Sequence, residues 1–246
     1  MYKRQVSELH TIYWEYVEKA RGYVRKRGNQ PVAEGGESDG VLIIWEKYGA
    51  VPAEAYTGLL NGSAAHNHSP LIDELNAFLG LCAERGYWDE EAIIGHVRLI
   101  LDTRIGRPPE RFEYEGATMT PREFCEKVLD VEPSDYVQIM STLSVPFNTM
   151  DSFEAPDNWR PTRTYYNLPL DEFCVYIKKA ARTGYTVCIG GDVSEPGYYG
   201  ERDAAIVPTF DIPGEYIDQD SRELRMYNRT TEDDHGVHLL SYQKVK

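Results

Sequence analysis

At 246 residues the chain is long enough for one large domain or two small ones, and a globule of this size buries roughly 70–75% of its unfolded surface. Forty acidic against 26 basic residues leave a net charge of −14 and a pI near 4.9, which repels phosphate backbones with no Lys/Arg cluster to offset it, so no nucleic-acid partner is expected. The longest strongly apolar run, Val41 to Trp45, falls far short of the roughly 18 residues needed to span a bilayer, so no membrane partner is expected either.

Met1 to Gln5 joins abruptly to a well-formed helix and resembles the translation of a sequencing-library transposon end; these residues are set aside, and the natural protein is expected to continue upstream of Val6. From there Leu9, Ile12, Tyr13, Tyr16, Val17, Ala20, Tyr23 and Val24 recur at three and four, predicting a helix of about 20 residues with Ser7 as N-cap and Gly28 as its stop. A polar loop from Asn29 to Gly36 leads to a second helix that starts at Glu37 or Ser38, carries Leu42, Ile43, Trp45 and Tyr48, and ends at Gly49. Helical patterns follow over about 70–85 and 89–104. Phe112 to Gly116 reads as half of a small hairpin, and Thr120-Pro121-Arg122-Glu123 is a capping box opening a short helix to about Leu129. Tyr136 to Met140 reads as a strand and Val145 to Thr164, through Asp157, as irregular chain. Leu168 to Arg182 is helical with Leu170, Phe173, Cys174, Ile177 and Ala180 inward; Tyr185 to Gly190 is a buried strand; a long polar connection then reaches a last strand. Helices first and strands last define an α+β plan.

That last strand carries the chemistry. Asp233 and Asp234 run into His235, Gly236 follows, and Val237, Leu239 and Tyr242 make the strand apolar, which holds an imidazole rigid beside open space. The residues alone leave a general base and an ordinary strand-edge histidine both open. Asp234 either orients the ring or caps a turn, and the turn is preferred. Gly35 and Gly36 either admit a ligand backbone or form a flexible turn before a helix. Tyr13 and Trp14 read as core aromatics. The four cysteines show no zinc or CxxC spacing, which fits a reducing compartment and a cytoplasmic location. Cys82 and Cys174 sit at helical spacing among apolar residues, Cys188 lies mid-strand, and Glu123 and Glu126 beside Cys125 oppose a thiolate, so all four are expected to be buried structural thiols. A metal site at His66 and His68 with His235 or His238 lacks a nearby carboxylate pair; no metal or cofactor is expected.

Three blocks then resemble the papain-like cysteine peptidases, in their aminopeptidase C and bleomycin hydrolase branch. Asp234-His235-Gly236-Val237 with Leu239 to Tyr242 is similar to the family's histidine strand. Val6 to Leu9, Gly35-Gly36, Trp45, Tyr48, Gly49 and Tyr56 follow its helical lobe, and Leu168 to Phe173, Gly184 to Val187 and Gly190 to Val193 its penultimate helix and strand. The resemblance implies an incomplete two-lobe papain-like fold: residues 1–59 from the helical lobe, 60–165 a mainly helical insertion, and 166–246 the β lobe. It implies His235 as the catalytic imidazole, Gly35 and Gly36 as substrate-binding, and a peptide or aminoacyl substrate. It also carries homo-oligomeric assembly, since relatives in this branch form closed rings, although no interface is recognisable in the residues. The family's C-G-x-C-W and N-S-W-G segments are absent, so the chain as written lacks nucleophile and orienting asparagine and is expected to be inactive. The alternative is a papain-fold protein that binds without chemistry.

Overall fold

Ser7 starts the first helix as its position predicts. Its backbone is extended, its Oγ accepts the His10 amide at 3.1 Å, and α1 runs over Glu8–Arg25. Leu9, Tyr13, Tyr16, Val17, Ala20 and Val24 are buried on one face, with Ile12 and Tyr23 half-covered beside them. The computed structural model describes every residue except 1–4, 31, 61, 156–157, 161, 163, 196, 203, 207–212 and 244–246. Four of the five opening residues set aside above, and Asp157 of the irregular stretch, therefore lie outside the described residues.

The second helix, α2, spans Ser38–Tyr48 and ends at Gly49. Gly49 has φ 73°, and a Cβ there would stand 2.3 Å from the Pro121 carbonyl carbon, so both backbone conformation and close approach demand glycine. Ile44 is its fully buried apolar residue; the expected Leu42, Ile43, Trp45 and Tyr48 are only half-covered, because the stripe turned inward is narrower than the apolar run. The next two helices, α3 (Ser69–Glu84) and α4 (Glu90–Ile105), bury Leu71, Leu75 and Leu79 and Ile93, Val97 and Leu101, and α4 packs on both α1 and α3. A hairpin of β1 (Phe112–Tyr114) and β2 (Ala117–Met119) follows. The capping box then forms between Thr120 and Glu123, opening α5 (Pro121–Phe124), which continues as a π-helical turn over Cys125–Leu129.

The chain divides into two units, Met1–Tyr136 and Val137–Lys246. In the second, β3 (Gln138–Met140), β4 (Met150–Asp151) and β5 (Tyr165–Asn167) form a sheet in the order β3-β5-β4, parallel between β3 and β5 and antiparallel between β4 and β5. Neither β4 nor β5 is signalled by the sequence. Asn167, fully buried, accepts from the Thr142 amide and donates to the carbonyls of Thr142 and Val145 at 2.8–2.9 Å. Beyond them come α6 (Leu170–Arg182), β6 (Val187–Gly191), β7 (Tyr198–Tyr199), β8 (Ala204–Ala205), α7 (Gln219–Tyr227) and β9 (His235–Leu239).

Two expectations fail here for one reason. The predicted inward face of α6 points as expected, yet no residue of α6 is buried; β6 alternates between half-covered and exposed, and β9 is exposed except at Leu239, instead of both forming buried strands. Each of these strands has one described partner, the other, and a two-stranded ladder shields little of its own apolar surface.

Candidate active site

Antiparallel pairing of β6 with β9 sets Gly191 opposite His235, Gly190 opposite Gly236, and Cys188 opposite His238. Successive side chains point to opposite faces, so His235 shares its face with Gly191 and Ile189, while Cys188 and His238 take the other. Opposite the imidazole there is thus only a glycine hydrogen, and 62% of the His235 side chain is exposed. The Asp234 amide donates to the Gly191 carbonyl at 3.2 Å, the Val193 amide donates to Asp234 Oδ1 at 2.9 Å, and the same oxygen lies 3.3 Å from His235 Nδ1. Asp234 therefore ties the strand entry and stands beside the ring. Beside it, burial would raise the Asp192 carboxyl, but the amides of Glu232 and Ser194 and the Ser194 hydroxyl outweigh that and hold it below the ordinary range.

Neither cysteine of the second unit stands with this ring. Cys188 occupies the opposite face of the ladder and is exposed, not buried as expected, because its strand is uncovered on that side. Cys174 is half-covered on α6. Cys82 and Cys125 are buried in the first unit, and burial pushes both thiols up, with Glu126 adding to the effect at Cys125. A thiol held protonated is a poor nucleophile.

Gly35 and Gly36 belong to the first unit, where they edge an open groove of about 630 Å³ together with Tyr16, Lys19, His66 and His68. Gly35 has φ 85°, which a side chain would strain. Lys19, only 3% exposed, holds this loop: its Nζ donates to the carbonyls of Ala33 at 2.8 Å and Gly35 at 2.5 Å and pairs with Glu15 at 2.8 Å. Across the groove the Tyr16 hydroxyl lies 3.5 Å from His68 Nδ1; burial, then Glu34 and Glu15, push the phenol above its ordinary range. His66 and His68 stand edge to face at 5.8 Å, but among the described residues no three His, Cys, Asp or Glu side chains group to hold a metal. The sequence reading missed Lys19. Its one signal was Glu15 a helical turn earlier, a pairing more often seen on solvent-exposed faces.

The fold is that of a papain-like peptidase. PepW from Lactobacillus rhamnosis HN001 (DR20), a solved structure, matches all of this chain and 64% of its own length with a TM-score of 0.70 at 20% identity. The chain belongs to the Peptidase C1-like family, whose model matches residues 17–203, a span that includes Gly35 and Gly36 and ends before His235. It is similar to aminopeptidase C of Streptococcus thermophilus, at 25% identity over 83% of this chain and 54% of that protein. Aminopeptidase C of Lactobacillus delbrueckii subsp. lactis is 26% identical over the same shares. The chain thus spans about half the length of the curated relatives it matches. No described helix is long and apolar enough to cross a membrane.

Proposed function

We propose that this chain is part of a papain-like cysteine aminopeptidase acting on peptide or aminoacyl substrates. The thiolate is supplied by a cysteine outside these 246 residues. That thiolate attacks the scissile carbonyl, and His235, having taken the thiol proton, returns it to the leaving amine. The same imidazole then activates the water that releases the acyl group. Gly35 and Gly36 leave room for the substrate backbone. The reading rests on the β6–β9 register, which presents His235 over a glycine with Asp234 at its Nδ1. The test is turnover of an aminoacyl amide by the full-length protein. A thiol alkylator should abolish it, His235→Ala should lower it about 10²–10⁴-fold, and the 246-residue chain alone should show none. Alkylator-resistant turnover would falsify the mechanism.

One observation favours a binding role instead: the ladder thiol, Cys188, lies on the face opposite His235. A full-length protein that captures peptides, turns over no amide and is indifferent to His235→Ala would decide for that reading.

A further inference from the structure

The first unit holds a second cavity, of about 200 Å³, which shares no lining residue with the Gly35–Gly36 groove. His10 and Trp14 of α1, Tyr48 at the end of α2, Arg98 of α4, Arg107 and a set of prolines wall it. His10 is 1% exposed. Its Nε2 accepts the Trp14 indole N–H at 3.3 Å, which places the proton of the neutral ring on Nδ1. Burial keeps the ring neutral by lowering its pKa to about 4. That Nδ1–H has no acceptor among the described residues, and buried polar groups are almost always satisfied by protein, water or ligand. Arg98 repeats the pattern: its guanidinium stands 5.4 Å from the Trp14 ring centre and its buried Nε also lacks an acceptor. At the wall Arg107 pairs with Glu110 at 2.5 Å. Two guanidinium groups thus line this cavity against the Glu110 carboxylate, with Asp102 and the Tyr13 hydroxyl also beside Arg98. Trp14 lies stacked on Tyr48, 4.0 Å apart and 7° from parallel, and Pro108, Pro109 and Pro121 add further flat apolar surface.

We propose that this cavity binds a small carboxylate with a flat apolar body, its carboxylate between Arg98 and the His10 Nδ1–H and its ring among Trp14, Tyr48 and the prolines. The space equals about seven liquid waters, enough for a single ring and its acid group. The inference does not depend on the peptidase reading, since it uses none of the residues placed in that site.

The test is an NMR titration of the 246-residue chain, following the Trp14 indole N–H and the His10 imidazole nitrogens with benzoate, benzamide and phenylalanine as probes. Benzoate should give saturable shifts at both reporters, and the neutral benzamide should bind at least about 10-fold more weakly. Arg107→Gln, at an exposed position, should weaken benzoate about 10-fold, and Arg98→Met should abolish its binding. Phenylalanine binding as well as benzoate assigns the cavity to free amino acids, and weaker binding assigns it to acids without an ammonium group. Equal affinity for benzoate and benzamide, or no saturable shift at millimolar benzoate, overturns the proposal and leaves water as the occupant. Should Arg98→Met fail to fold, the benzamide comparison and Arg107→Gln still decide.

Discussion

The two units handle their apolar surface differently. In the first, α1, α3 and α4 bring Tyr13, Val17, Leu75, Leu79, Ile93, Val97 and Leu101 to complete burial. In the second, the buried apolar residues are Met140, Tyr165 and Leu168, joined by the polar Ser141, Thr142 and Asn167. There α6 and the β6–β9 ladder, although patterned for a core, leave Phe173, Cys174 and Ile177 only half-covered and Val237 exposed. An amphipathic pattern states which way a face points; whether a neighbour covers it is a separate fact.

The contrast can be broken by four measurements. Leu79→Ala, in the covered unit, should cost about 2–5 kcal/mol, read as faster amide exchange along α3. A cost below about 1 kcal/mol would mean that the first unit is looser than its packing shows. His10 gives the same unit a pH dependence. Its folded pKa of about 4 lies below the ordinary imidazole value of 6.5, so between those values the unfolded chain holds a proton that the folded chain refuses. Stability of the first unit is therefore complete above pH 6.5 and falls by up to about 3 kcal/mol as the pH drops to about 4. His10→Asn should flatten that slope in a pH series of exchange rates.

Asn167→Ala probes the polar core of the second unit. It strands the carbonyls of Thr142 and Val145 and should cost about 1–3 kcal/mol, seen as loss of protection at the Thr142 amide. Ile177→Ala, on the half-covered face of α6, should cost under about 1 kcal/mol. A larger loss there would show that α6 is covered by something in solution and would close the gap between the units.

Helix positions were legible because α1, α3 and α4 carry long periodic stripes with side-chain caps or glycine stops, and the Thr120–Glu123 capping box formed as written. Short elements were not legible. β5 spans three residues after a proline-rich stretch and owes its existence to β3 and β4 pairing on either side, which no local pattern encodes. The helix α7 was hidden because polar groups hold it. Gln219 accepts from the Leu170 amide at 2.7 Å, Arg222 donates to the Ser141 carbonyl, and Glu223 accepts from Thr142 at 2.8 Å. At the candidate site, His235 and its flanking Asp234 could be read from the chain. The face they share with Gly191, and the opposite face given to Cys188, came only with the strand register.

That register has a consequence for how the chain tolerates change. Residues 192 to 234 join two strands whose partners are set by backbone pairing, so insertions or deletions in this connection away from the Asp192–Glu232 and Val193–Asp234 contacts leave the imidazole where it is. Removing a single residue from Gly236 to His238 is another matter: with Leu239 still paired to Val187, it would swing the ring to the Cys188 side of the ribbon and bring Asp234 into its former place.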